Sequence, residues 1–271
     1  MNHISRHDLT DSQWEILKPL LPLQKAGPGR KRNDDRVTLN GILYVLKTGC
    51  AWADLPAAYG SDTTCWRRLQ EWTADGTWER IWRTLLGALD AAQQIDWRYA
   101  FLDGSFVPAK KGGRGVGKTM AGKGSKIMLL TDGQGLPLGL VVDSAQPHEM
   151  RYAAQTIATL KVPQPHGRSR TRPAELIADK AYDSVALRQS LHRRGIKVSI
   201  PPVQRRERKT PKRGRPLKVG VSFRQRWHVE RSNAWMDNCR RLVVRYERKP
   251  ELYAAFCMLF FILLCLNRIL K

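Results

Sequence analysis

Three carboxylates interrupt stretches of the sequence that are otherwise apolar. Asp103 falls within the β-favouring run 98–107 (RYAFLDGSFV), Asp179 closes Leu176-Ile177-Ala178-Asp179, and Glu230 lies in Arg226-Trp227-His228-Val229-Glu230-Arg231. Only 12 acidic residues follow position 97, and a carboxylate in apolar surroundings costs free energy unless it is paired or holds a cation. Three hard oxygen donors from separate elements suit a pair of Mg²⁺ ions, which keep bound waters and accept phosphate oxygens; Mn²⁺ is the expected substitute. One ion would activate the attacking oxygen of a phosphodiester reaction and the other the leaving oxygen. Each residue also has a plainer reading: Asp103 as a strand-end residue, Asp179 as a helix N-cap, Glu230 as the ion-pair partner of Arg226.

The elements that would position these groups are legible from periodicity. Residues 98–107, 127–131 and 136–142 read as three antiparallel strands, the last two joined by the hairpin sequence Asp132-Gly133-Gln134-Gly135. A helix over 150–160, a strand at 175–178, a helix over 184–194, a strand at 197–200 and an amphipathic helix over 223–241 complete the order of a ribonuclease-H-like α/β fold. In that arrangement the first and fourth strands are neighbours and the last helix crosses near their ends, so the three carboxylates can converge. Residues 1–97 read as helices instead. Thr10-Asp11-Ser12-Gln13 fits a capping box, Leu39, Ile42, Leu43 and Leu46 share a face, and helices over 62–72 and 78–89 follow. The expected division is an N-terminal all-helical domain, 1–97, and an α/β domain, 98–271. The third helix, with Arg67 and Arg68 outside its apolar face, has the form of the second helix of a helix-turn-helix, which enters a major groove; plain helical packing is the alternative.

Charge supports a polyanionic partner. The 271 residues carry a net +23, yet residues 1–97 hold 12 basic and 12 acidic side chains, so the excess lies wholly in residues 98–271. Nucleic acid is the commonest large polyanion in a cytoplasm. Two basic stretches stand out: a loop expected at 108–126, with six Lys or Arg and no acid, and a linker at 203–220, with eight basic residues and one acid between Gln204 and Lys218. Lys118, Lys123, Arg205, Arg206, Arg208 and Lys209 are the candidate phosphate contacts there. The string 112–119 (GGRGVGKT) matches a nucleotide phosphate loop, but it lacks the preceding strand and following helix that such a loop requires. Five Cys without a C-x-x-C pair and the absence of a basic, apolar leader point to a reducing cytoplasm. The apolar run 252–266 would extend only about 22 Å as a helix, against about 30 Å of bilayer hydrocarbon. A buried helix over 250–270, with no membrane partner, is expected.

The strings Phe101-Leu102-Asp103-Gly104-Ser105, Ala178-Asp179-Lys180-Ala181-Tyr182-Asp183 and Trp227-His228-Val229-Glu230-Arg231-Ser232-Asn233-Ala234-Trp235, followed by Arg240-Arg241-Leu242 and Arg245-Tyr246-Glu247, resemble those of bacterial insertion-sequence transposases of the DDE type. The resemblance is nearest to the insertion-sequence-five family. It extends to the N-terminal Leu9-Thr10-Asp11-Ser12-Gln13-Trp14 and Gly49-Cys50-Ala51-Trp52-Ala53-Asp54-Leu55-Pro56, and so covers nearly the whole chain. It implies a Mg²⁺-dependent recombinase, cytoplasmic and nucleoid-associated, in which domain 1–97 binds the DNA ends and domain 98–271 is catalytic, with Asp103, Asp179 and Glu230 as catalytic triad and metal ligands. The implied partners are double-stranded DNA, both terminal inverted repeats and target, and further copies of the chain in a homodimer or higher oligomer. Related transposases share a Tyr, Arg, Glu, Lys signature around the glutamate. Here Arg226 and Glu230 match, whereas Phe223 stands at the Tyr position and Asp237 at the Lys position, leaving Arg231, Arg240 and Arg241 as candidates for the auxiliary phosphate contacts. The implied reaction is hydrolysis at the element's ends and joining of the 3′-hydroxyl to target DNA. A nuclease of the same fold without strand joining, and an inactive DNA-binding derivative of a transposase, are the alternatives.

Overall fold

The computed structural model describes residues 5–23, 32–203 and 221–271. Four helices come first: α1 (Asp11–Leu17), α2 (Asp35–Thr48), α3 (Asp62–Ala74) and α4 (Thr77–Ala91). The capping box at α1 forms as its sequence dictates, with Thr10 accepting from the Gln13 amide and the Gln13 side chain accepting from that of Thr10. Asp34 caps α2 through the amides of Arg36 and Val37, and Gly49 ends it in the left-handed conformation (φ 71°) that favours glycine.

The rest of the chain builds a mixed sheet with helices around it: β1 (Tyr99–Pro108), β2 (Gly117–Thr119), β3 (Gly122–Asp132), β4 (Pro137–Ser144), α5 (Met150–Ala158), β5 (Glu175–Ala178), α6 (Val185–Arg193), β6 (Lys197–Ser199), α7 (Trp227–Asp237), α8 (Arg240–Val243) and α9 (Pro250–Ile269). β1, β3 and β4 are antiparallel neighbours, and β5 and β6 continue the sheet from β1 in parallel. This is the strand arrangement of a ribonuclease-H-like fold. The β3–β4 turn is pinned by Asp132, whose buried carboxylate accepts the amides of Asp96, Gln134 and Leu136.

The segment 108–126 departs from expectation. In place of a free loop, β1 runs to Pro108, and β2 pairs with the start of β3 in the register Gly117↔Gly124, Lys118↔Lys123, Thr119↔Gly122. Two of the segment's glycines are there because neighbours approach closely: a Cβ on Gly124 would lie 2.3 Å from the Phe106 ring, and one on Gly117 2.2 Å from Ser144 Oγ. Lys118 and Thr119 thus sit in a strand followed by another strand, which excludes a nucleotide phosphate loop.

Helix α9 is longer than its apolar run, because Pro250 at its first turn and Asn267 to Ile269 at its end also take helical geometry. At 20 residues with mean hydropathy 2.1 it is long and apolar enough to cross a membrane, yet here most of it is buried. It lies between α4 and β4, with the Phe261 ring 5.1 Å from Trp82 and Phe256 6.4 Å from Trp52. Tyr253, Phe256, Phe261 and Leu266 are fully buried, in one core that joins the N-terminal helices to the sheet. Each such side chain stabilises the fold by about 1.5–3 kcal/mol.

Candidate active site and nucleic-acid interface

The parallel register sets Leu102 beside Ala178, so Asp103 and Asp179, each one residue further on, lie side by side where β5 ends. Ligands collect at this carboxyl edge in open α/β sheets. Helix α7 packs over β1 and brings Glu230 to the same place. One guanidinium reaches all three: Arg226 lies 2.7 Å from Glu230, 3.6 Å from Asp103 and 4.0 Å from Asp179. The plainer readings hold at two of the positions as well, since Asp179 accepts the Lys180 amide as an N-cap and Glu230 pairs with Arg226.

Burial raises the Asp103 pKa to about 6; the negative charges of Glu149 and Glu230 push the same way, and Arg226 opposes them. Asn233, on the same flank of α7 as Glu230, donates from Nδ2 to Asp103 Oδ2 at 3.2 Å. Its Oδ1 is buried without a partner.

Among the described residues no three Asp, Glu, His or Cys side chains surround one point as an ion would require. The carboxylates gather around Arg226 instead. The physical reason is charge: three clustered carboxylates repel unless a cation lies between them, and the guanidinium four residues before Glu230 supplies one. The donor set nevertheless fits a divalent ion, because it consists of hard oxygen ligands already arranged about a positive charge.

Two neighbours of Asp103, Glu149 and Tyr182, were missed by sequence reasoning. Glu149 accepts a hydrogen bond from the Tyr182 hydroxyl at 2.9 Å and pairs with Lys126 at 3.6 Å. A Cβ on Gly104 would lie 2.9 Å from its carboxyl carbon, so the glycine after Asp103 marks the close approach. Burial and the negative charge of Glu149 raise the Tyr182 pKa, keeping the phenol protonated as a donor.

The candidate DNA contacts divide. Arg67, Lys118, Lys123 and Arg240 are exposed, and Lys118 faces Lys123 across the β2–β3 pair, a like-charge arrangement that is unfavourable without an anion. Arg68 is corrected: it is buried, 3.0 Å from Asp35 and 3.4 Å from Glu71, with its guanidinium over Trp72. Arg241 is corrected likewise, being buried against Glu247 at 2.7 Å and donating to the Cys50 carbonyl. Both are engaged inside the fold by these ion pairs. Arg231 is partly committed, donating to the Gln134 carbonyl at 2.7 Å between the rings of Trp227 and Trp235. Arg205, Arg206, Arg208 and Lys209 lie outside the described residues, as does nearly all of the expected linker 203–220.

Comparison with known proteins gives a consistent picture. Residues 98–267 match the family described as "Transposase DDE domain", and residues 9–82 match "Putative transposase of IS4/5 family". From Burkholderia cepacia, the "Insertion element IS402 uncharacterized 16.2 kDa protein" is 45% identical over 117 residues, covering 41% of this chain and 80% of that one. The "Putative transposase for insertion sequence element IS402" of the same organism is 32% identical over 145 residues, covering 53% of this chain and 64% of that one. Among solved structures, a piggyBac transposase synaptic complex with hairpin DNA aligns over 93% of this chain and 68% of its own, at 11% identity and a TM-score of 0.46. The Mos1 strand transfer complex aligns over 92% and 82%, at 13% identity and a TM-score of 0.28.

Proposed function

The chain belongs to the family of transposases with a DDE domain, and on that premise we propose that it binds the terminal inverted repeats of an insertion sequence, cleaves a phosphodiester bond at each end and joins the freed 3′-hydroxyl to target DNA. Asp103, Asp179 and Glu230 are the catalytic carboxylates. The observation that carries this reading is the single guanidinium of Arg226 within 4.0 Å of all three: side chains from the middle of β1, the end of β5 and a helix converge on one cation.

Asp103, Asp179 and Glu230 would hold divalent ions, two per site and Mg²⁺ or Mn²⁺ by donor chemistry, which would supply activation of the attacking oxygen and stabilisation of the leaving one. The protein's own part is positioning and charge. Asn233 fixes the rotamer of Asp103 through its amide, and Tyr182 holds Glu149 beside β1. Arg226, relieved of the carboxylates, is in place to pair with a substrate phosphate. Lys118 and Lys123 on the β2–β3 pair and Arg240 after α7 provide phosphate contacts that set register without reading bases. In the N-terminal domain, 1–97, the exposed Arg67 on α3 is the contact to the element's ends. Two ends must be held together, so the acting species is a homodimer or higher oligomer on DNA, in the bacterial cytoplasm.

The test is cleavage of a labelled duplex carrying an element end, beside a mobility-shift assay on the same preparation. Asp103→Asn, Asp179→Asn and Glu230→Gln each keep side-chain shape and remove the charge that holds the ion. Each should abolish cleavage in Mg²⁺ while leaving the mobility shift nearly intact, and Ca²⁺ should support binding without efficient cleavage. Near wild-type cleavage by one variant removes that residue from the triad, and by all three ends the mechanism. Joining of a labelled 3′ end to target DNA separates the transposase from a nuclease of the same fold.

A further inference from the structure

Helix α7 has a second flank. At 3.6 residues per turn, Arg226, Glu230 and Asn233 face one side, while His228, Arg231, Trp235 and Asn238 face the other, with Val229, Ser232 and Met236 buried between them. This second flank forms a wall of an open cleft of about 1000 Å³, closed by the β3–β4 turn and by parts of α1, α2 and α9.

The cleft gathers Lys47, Arg231, Arg268 and Lys271 from three distant parts of the chain, and no Asp or Glu is among the described residues that line it. Asp132, which lies close enough to feel the charge of Arg268, is buried and already accepts three backbone amides. Four converging cations without a lining carboxylate are an anion site by charge alone. The remaining walls narrow the choice of anion. Trp235 lines the cleft while staying 36% exposed, and the Arg231 guanidinium lies 4.7 Å from its ring. Apolar wall is added by Phe260, Leu264 and Leu270. Aromatic and apolar surface inside a cationic groove is the chemistry that takes unpaired bases, whose faces are free to stack, whereas a duplex hides its base faces and offers only phosphate.

We infer that this cleft binds a short unpaired stretch of DNA, with phosphates on Lys47, Arg268 and Lys271 and a base on Trp235. The inference rests on the reading of the protein as a DNA-acting transposase, and it adds a single-strand site on the opposite flank of the helix that carries Glu230. A strand bound there is therefore held apart from the phosphate at the carboxylates, by the width of α7.

The experiment is fluorescence anisotropy with the full chain in EDTA, using a labelled oligothymidylate and a short mixed-sequence duplex across a salt series. Arg268→Gln/Lys271→Gln should flatten the single-strand log–log salt slope by about 1.4, at roughly 0.7 per lost phosphate contact. Trp235→Ala should weaken oligothymidylate binding by about fivefold or more, and Trp235→Phe, which keeps a ring, should recover most of it. Duplex affinity should stay near wild type in each, and Asp103→Asn should bind oligothymidylate as the wild type does. Unchanged single-strand binding in both cleft variants overturns the inference, and so does an equal loss on strand and duplex, which would describe a general charged surface. A wild-type chain that binds neither probe overturns the transposase reading with it, whereas binding that is indifferent to the cleft residues overturns the cleft alone.

Discussion

Replacing Arg226 by Gln should make the protein bind Mn²⁺ more tightly, although it removes a side chain from the centre of the candidate site. In the absence of metal the guanidinium is the counterion of three carboxylates, at 2.7, 3.6 and 4.0 Å, so an entering ion must displace it. A charge pair at 4 Å is worth about 4 kcal/mol at an effective dielectric of 20, but exposed pairs measure only about 0.2–1 kcal/mol. Glu230 and Asp179 are 53% and 43% exposed and belong to the second class, while Asp103, at 19%, is better shielded. The three contacts together then amount to about 1–3 kcal/mol, and relief of half of this, about 0.5–1.5 kcal/mol, corresponds to a Kd lower by roughly twofold to tenfold, at 1.4 kcal/mol per factor of ten. The assay is Mn²⁺ titration by calorimetry, with Asp103→Asn as the control that should lose binding. The apo variant should also melt about 2–4 °C lower, through unrelieved carboxylate repulsion worth about 1 kcal/mol, and regain the difference in Mn²⁺. Equal Mn²⁺ affinity in variant and wild type, with binding still dependent on Asp103, would refute the displacement and leave Arg226 a DNA contact only.

The other predictions concern residues whose roles the fold separates. Leu259→Arg places an unpaired charge on the buried face of α9 (Leu259 is 2% exposed) and should send the protein into aggregates; recovery of the wild type only from detergent-extracted membranes would contradict a core helix. Arg241→Ala strands the buried carboxylate of Glu247 and should cost about 3–5 kcal/mol, read as a large fall in melting temperature with no change in the salt slope of DNA binding. Wild-type melting, or a flattened slope, would return Arg241 to the DNA interface. Replacing Arg205, Arg206, Arg208 and Lys209 by Gln should weaken binding to all duplexes and lower the salt slope by about 0.9 per lost contact; unchanged affinity and slope would leave the run without a role in binding.

How far the sequence could be read depended on what each feature needs. The sheet order was legible because alternating apolar runs and the Asp132-Gly133 turn are local signals, and they suffice to place Leu102 beside Ala178 once the fold is recognised. Strand β2 was not, because Gly117, Gly122 and Gly124 carry no strand propensity of their own: Gly124 and Gly117 answer to the crowding of Phe106 and Ser144, and Gly122 to a φ of 105°. Arg68 and Arg241 looked like exposed cations because their partners act at a distance: Asp35 lies 33 residues from Arg68, and Glu247 reaches Arg241 only across the bend after α8. Composition counts a basic residue but not the carboxylate that buries it. Glu149 carried a weak signal in the glycine at position 104, legible only after α5 is packed against the sheet.

At Glu230 the two readings open to the sequence, an ordinary ion pair with Arg226 and one arm of a carboxylate cluster, are the same arrangement. A helix places residues four apart on one face, so the arginine that pairs with Glu230 must also approach whatever Glu230 approaches. Once the register has set Asp103 beside Asp179, their mutual repulsion requires a cation at that point, and the i−4 arginine is the one the helix delivers. On the proposed mechanism, the contact that looked like the bland alternative holds the carboxylates together until a divalent ion displaces it. Removing Arg226 should therefore cost apo stability and favour metal binding together, a pairing that neither an isolated surface salt bridge nor a pure phosphate contact would produce.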